Sequence, residues 1–314
     1  MKARTALIAL GAALCLAGAL YGLRAWQLRP GPRVVVEGGD AGGLPRAQSE
    51  SERFDAKGLE QAAQDAAAEG LQALVVTRNG HVVFERYGHG LAGDSVVDSG
   101  AFAQALVALL AGSALQEGVL SAQAINGFDA NRLRAAIELG AHQPYALYLS
   151  RKLWRRLNAA AAWIELPRSG APAPADCCFH ARVLDWLRVA ELLLDDGRFE
   201  GTQVVPRGWV ERMLRPVSAD GQHGFGVELG AAGHDGVAFA AAGVFWLRGP
   251  GHWRLWLMPQ LKLAVLFGAD APRRSDTAPP WDESRLPNLV IRSLPGVPAT
   301  TDDASLLQRL VPGH

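Results

Sequence analysis

The chain is poor in the residues from which common redox, metal and nucleophilic motifs are assembled. It has three cysteines in 314 residues: Cys15, and the adjacent Cys177 and Cys178. No Cys-x-x-Cys and no metal-ligand spacing exist, so neither a cysteine metal site nor a dithiol redox motif is written here. The adjacent pair reads as two thiols without function, since a vicinal disulfide is strained and rare. Eight histidines are scattered (His81, His89, His142, His180, His223, His234, His252 and His314), none with His-Glu-x-x-His or similar spacing. No cofactor is implied, and each histidine reads as a surface or hydrogen-bonded residue. Excess charge is absent too: 31 basic residues balance 31 acidic ones. That removes the electrostatic case for a nucleic-acid partner or an anionic membrane surface. Only four lysines occur, Lys2, Lys57, Lys152 and Lys262, and none lies three residues after a serine.

What is there begins with an apolar run. Lys2 and Arg4 precede Ala6–Leu23, a stretch of 18 residues, which is about the shortest length that spans a bilayer. Ala17-Gly18-Ala19 also fits a signal-peptidase site. Residues 1–28 therefore read as a membrane anchor or a cleaved signal segment. Cys15 follows Leu14, whereas a lipobox wants a small residue there. Arg24, Arg29 and Arg33 follow the run, so charge at both ends leaves orientation open. Either form of export puts the bulk of the chain outside the cytoplasm. Residues 29–53 are rich in Pro, Gly, Ser and charge without a period and read as a linker. Residues 54–294 form the domain, and 295–314 a polar tail.

Within the domain, Phe54–Gly70 reads as a helix with Leu59, Ala62, Ala63 and Ala66 on its apolar face. Leu71–Gly88 alternates as two strands about Asn79-Gly80, a strong hairpin signal. Ala101–Glu117 is apolar nearly all round and reads as a buried helix. Asn131–Glu138, Tyr145–Leu157, Ala181–Leu194 and Gly208–Leu214 are further helices. Gly224–Leu229, Val237–Trp246, His252–Met258 and Leu263–Gly268 read as strands, and Glu283–Leu294 as a last helix. Strands at both ends around a helical middle predict an α+β domain whose antiparallel sheet is built from both termini. Trp246, Trp253 and Trp256 fall on the late strands; sheet packing accounts for them, with an aromatic sugar-binding groove as the alternative. Arg151, Lys152, Arg155 and Arg156 form a basic patch read as a solvated face.

This order, with its local wording, resembles the serine β-lactamase and penicillin-binding-protein superfamily, and most closely its class C β-lactamase-related hydrolases. The stretches that carry the likeness are "ALVVTRNGHVVFERYGHG", "ALVALLAGSALQEGVLS", "YLSRKLWRRL", "ARVLDWLRVAELLLDDGRFEGTQVVPRGWVERML", "HGFGVEL" and "HWRLWLMPQLKLAVLFG". The resemblance implies a β-lactamase/transpeptidase-like fold with a reduced helical insertion. It also implies a serine at a helix N-terminus, a lysine one turn later as its base, a Tyr-x-Asn or Tyr-x-Ser element, and a Lys/His-x-Gly strand element lining the oxyanion pocket.

At those positions this chain departs from the family. The serine position is Ala101 and the lysine position Gln104; alanine has no nucleophile and an amide takes no proton near neutral pH. The tyrosine position falls near Ile125 with its partner near Gly127, only about two dozen residues after Ala101. The basic strand position reads as Ala241, leaving Gly243 recognisable. Ser99 stands two residues before Ala101, either as a helix N-cap or as a shifted nucleophile. Gly93-Asp94-Ser95-Val96 and Asp220-Gly221-Gln222-His223 resemble the blocks of GDSL-type hydrolases, but no βαβ repeat accompanies them.

Two functions follow as expectations. One is a membrane-tethered extracytoplasmic domain that has lost catalysis and binds a cell-wall fragment or an envelope protein. The other is a serine hydrolase, an esterase or amidase, with a non-standard nucleophile such as Ser99.

Overall fold

Two left-handed residues, Asn79 (φ 50°) and Gly80 (φ 81°), close the hairpin that starts the main sheet. A two-residue turn with both φ values positive matches the right-handed twist of its flanking strands. These are β2 (Leu71–Arg78) and β3 (His81–Tyr87); β1 (Arg33–Val36) and helix α1 (Ala56–Ala68) precede them. The structure is a computed structural model that describes residues 31–230, 238–269 and 284–296. The chain continues through β4 (Val96–Asp98), α2 (Phe102–Gln116), α3 (Ala130–Ala141), α4 (Tyr145–Leu149), β5 (Ala162–Glu165), β6 (Phe179–Arg182) and α5 (Val183–Leu194). After these come β7 (Arg198–Phe199), β8 (Thr202–Gln203), α6 (Trp209–Met213), β9 (Glu228–Leu229), β10 (Phe245–Arg248), β11 (Arg254–Met258), β12 (Leu263–Ala269) and α7 (Arg285–Arg292).

The six-stranded sheet runs β3-β2-β12-β11-β10-β9. All its pairs are antiparallel, and β2 from the first part of the domain lies beside β12 from the last. The α+β expectation and the sheet built from both ends therefore hold. Both faces of this sheet are covered. Leu74 and Val76 point to one side with Leu263, Val265 and Phe267, where α1 and α7 close over them through Leu59, Ala62, Leu286 and Val290. Ala73, Val75, Ala264 and Leu266 point to the other, against α2 and α5. The period of two in side-chain direction thus divides one strand between two cores.

Helix α2 lies inside the second core, with twelve of its residues buried. Gly112 is required there: a Cβ would stand 2.5 Å from the Trp209 ring, whose Nε1–H donates to Ala108 O at 2.9 Å. The tryptophans of the late strands, Trp246, Trp253 and Trp256, are all buried, as the packing reading requires.

Several expectations are corrected. A second, four-stranded sheet, β1-β5-β6-β4, joins the molecule. Its strands are three or four residues long, too short for alternation to register in a sequence. Part of the expected linker is docked rather than free. Val36 and Leu44 are buried, β1 pairs with β5, and Val82 N–H donates to Pro45 O at 2.8 Å. The Arg188 guanidinium also donates to Gly42 O. Ala181 and Arg182 are strand, so the helix there begins at Val183. The stretch expected as one helix over 145–157 is α4, a wider π turn at Ser150–Trp154 and a 3-10 turn at Arg155–Leu157. In the 224–229 stretch Gly226 has φ 79°, and only Glu228–Leu229 pair as strand.

The basic patch is partnered. Lys152 pairs with Glu117 at 2.6 Å and Arg155 with Glu37 at 3.5 Å, while Arg156 donates to Gln203 O and Val204 O. Cys177 and Cys178 form a vicinal disulfide rather than two free thiols. The apolar run Ala6–Leu23, Val237, Glu283, the tail from 297, His234 and His314 lie outside the described residues. Among the described residues no helix is long and apolar enough to cross a membrane.

A candidate ligand cavity at the start of helix α2

Helix α2 begins where the hairpin between β10 and β11 meets it. Gly100 takes φ 49°, and a Cβ on it would stand 2.6 Å from Pro250 Cδ; one on Gly249 would stand 3.2 Å from the Phe102 ring. These two close approaches bring the end of β10 against the first turn of α2. Beside that contact opens a cavity of about 350 Å3, with Ala101, Gln104, Phe128, Ser218, His223, Glu228, Trp246, Leu247 and Arg248 among its lining residues.

The serine and lysine positions inferred from the resemblance, Ala101 and Gln104, thus both face this space. Ala101 is the N-cap of α2, and no side chain caps the helix. The first turn has little left to offer an anion. Gly100 N–H donates to Asp98 Oδ1 at 3.0 Å, and the N–H groups of Phe102, Ala103 and Gln104 donate to Ser99 O, Gly100 O and Ala101 O. Such bonds consume the donors that make a helix start attractive to negative charge.

Ser99 does not reach the cavity. It is buried, and its Oγ accepts from Trp186 Nε1 at 2.9 Å. Its side chain does not cap α2, and its hydroxyl lies in the core beside the Trp186 indole rather than among the lining residues of the cavity. Ser95, the serine of the GDSL-like block, accepts from Ala92 N–H at 2.9 Å in a turn, and every pairing between the named strands is antiparallel, so that likeness has no parallel sheet to stand on.

The second and third elements lie elsewhere than expected. Ile125 is buried in the core, and Gly127 is a left-handed turn residue (φ 73°). The side chain of this segment that lines the cavity is the next one, Phe128, which packs edge-on against Phe225 with ring centroids 4.9 Å apart. Ala241 is buried on the opposite side of the sheet, with α1 and α7, and Gly243 (φ 66°) precedes the strand. The strand residues beside α2 are Leu247, Arg248 and Gly249. An x-x-Gly ending is retained, but its first position is leucine, and the following residue, Pro250, has no N–H to offer an oxyanion.

Sequence reasoning missed the charged side of the cavity. Glu228 on β9 joins two partners: Oε2 is 2.9 Å from His223 Nδ1 and Oε1 is 3.3 Å from Arg248 Nε. His223 and Glu228 lie five residues apart in one stretch, but Arg248 joins them only through the pairing of β9 with β10, which has no short-range signal. Beside them Ser218 Oγ donates to Asp220 Oδ1 at 2.5 Å and accepts from His223 N–H at 3.0 Å. The Ser218 hydroxyl and the Gln222 amide hold the Asp220 carboxyl below the usual carboxylate range. Among the described residues no group of His, Cys, Asp and Glu is arranged to hold a metal ion.

No protein-family model matches this sequence, and no curated protein matches it. Solved structures do. A chain from Bacillus anthracis described as a 6-aminohexanoate-dimer hydrolase is 14% identical with a TM-score of 0.62, over 78% of this chain and 87% of that one. EstCE1, a hydrolase with promiscuous acyltransferase activity, is 12% identical with a TM-score of 0.59, over 78% of this chain and 100% of its own. A β-lactamase from Mycobacterium bovis is 13% identical with a TM-score of 0.55, over 74% of this chain and 97% of that one. Identities this low speak to fold alone, and with the antiparallel sheet and the buried α2 they establish that the chain has the fold of the β-lactamase and penicillin-binding-protein-like serine hydrolases.

Proposed function

We propose that this chain is a binding domain on a hydrolase scaffold, without the scaffold's acyl-transfer chemistry. One observation carries the reading: the two side chains that open α2 onto the cavity are those of Ala101 and Gln104. Neither attacks a carbonyl nor takes a proton, and removal of a nucleophile and its base costs orders of magnitude because the two act as a unit. What remains is a space with an aromatic wall at Phe128 and a charged rim at His223, Glu228 and Arg248, suited to holding a polar ligand. A cell-wall fragment or a segment of an envelope protein is the ligand class we assign. The apolar run at 6–23 supports tethering of the domain at a membrane, and a Cys177–Cys178 disulfide suits an oxidising, extracytoplasmic compartment.

The alternative, an esterase- or amidase-type hydrolase with a non-standard nucleophile, rests on Ser218, the serine among the cavity's lining residues. Intact-mass spectrometry of the chain after incubation with a fluorophosphonate, and separately with a penicillin, decides between the two. No adduct on a chain shown to be folded by circular dichroism supports the binding reading. A single adduct mapped to Ser218 replaces it with the hydrolase.

A further inference from the structure

The side of the four-stranded sheet away from the core carries an aromatic and apolar row. Val35 stands opposite Trp163, Trp163 opposite His180, and Val96 opposite Arg182, while Val36, Ile164, Phe179 and Ala181 fill the inner side. Trp163 and His180 are stacked, with centroids 5.1 Å apart and planes 8° from parallel, and the Arg33 guanidinium lies 4.8 Å from the Trp163 ring. Val35 is 62% exposed and Val96 40%, two of the five large apolar side chains exposed among the described residues. The same side also carries Glu165 opposite Arg33 and Asp98 opposite His180, so its arginines are balanced by carboxylates and its exposed apolar and aromatic side chains are what suit it to a lipid headgroup layer.

The chain outside the structure ends at this same sheet. Gly31 is already docked, its N–H donating to Glu165 Oε1 at 3.0 Å. Residues 24–30 are therefore all that separates Leu23 from the domain, and seven residues reach at most roughly 25 Å when fully extended. A domain of this size is roughly 45 Å across. A tether so short keeps the corner it enters near the bilayer and holds the opposite face away from it.

We propose that the outer face of this sheet lies against the membrane surface, with Val35, Val96 and Trp163 at the headgroup layer. The proposal rests on the tether reading given under Proposed function. The cavity at α2 then serves as the site for a ligand approaching within the envelope, while this face sets the domain's orientation.

Hydroxyl-radical footprinting of the full chain tests this. The chain is reconstituted in vesicles of phosphatidylcholine and phosphatidylglycerol, compared with the same chain in detergent, and His223 serves as the internal reference. Trp163 and His180 are expected to be oxidised several-fold more slowly in vesicles, with His223 unchanged. Equal reactivity of Trp163 in both settings, on a chain that stays with the vesicles through a carbonate wash, overturns the orientation and leaves the tether intact. Release of the chain by the wash overturns the tether, and the orientation with it.

Discussion

The indole of Trp186 donates to the hydroxyl of Ser99 at 2.9 Å, with both residues buried. The bond fixes the strand end at Asp98 and Ser99 just before the chain turns into α2, and it places Ser99 among core side chains. Removing one partner of a buried hydrogen bond leaves the other's desolvation uncompensated. Ser99→Ala is expected to lower unfolding stability by about 1–3 kcal/mol, read from urea denaturation, and to leave fluorophosphonate labelling unchanged. A labelling change without a stability loss would return Ser99 to the site.

Ala101 and Gln104 lie on the cavity at the spacing a serine and its lysine base require. The double variant Ala101→Ser with Gln104→Lys places a hydroxyl and an amine one turn apart on the same wall. The variant is expected to gain a fluorophosphonate adduct at residue 101 by peptide mapping, with its circular dichroism unchanged. Absence of an adduct on a folded variant would overturn the reading that these two positions are where the cavity's chemistry was lost.

Glu191 on α5 accepts from Thr77 Oγ1 at 3.0 Å. Burial pushes its carboxyl above the ordinary value of 4.5, with the Thr77 hydrogen bond, His81 and Lys262 pulling the other way. A raised folded-state pKa means that the folded chain holds the proton more tightly than the unfolded one. Its contribution to stability is therefore complete below the unfolded carboxylate range and is lost as pH rises through the folded value. Glu191→Gln removes that titration and keeps an acceptor for Thr77. The variant's Tm is expected to exceed that of the parent increasingly from pH about 4.5 upward, measured by scanning calorimetry. A Tm difference independent of pH would refute the assignment.

Cys177 and Cys178 are joined. Alkylation under denaturing, non-reducing conditions is expected to modify neither residue, and prior reduction by a dithiol to make both reactive. Peptide mass mapping reads this directly, and two alkylated cysteines before reduction would restore the free-thiol reading.

How much of this was legible beforehand varied with range. The α1 face at Leu59, Ala62, Ala63 and Ala66 came from helical periodicity alone, and the β2–β3 hairpin from Asn79-Gly80, since both signals are complete within a few residues. The strands β1, β4, β5 and β6 left no such trace. Each is three or four residues long and is a strand only because its partners arrive from elsewhere in the chain. The linker reading of 29–53 missed the docked part around Val36 and Leu44 for the same reason: Pro and Gly mark turns but do not say whether the turns are packed.

The sequence by itself determined that no Ser-x-x-Lys pair exists, that charge is balanced, and that a buried helix starts with Ala101 and Gln104, because residue identity and local spacing need no third dimension. Only the tertiary structure decided that Ser99 belongs to the core, that Leu247, Arg248 and Gly249 rather than Ala241 and Gly243 stand beside α2, and that Glu228 joins His223 to Arg248. A strand's face and the side chains it meets depend on register against distant segments, and a shift of one residue reverses them.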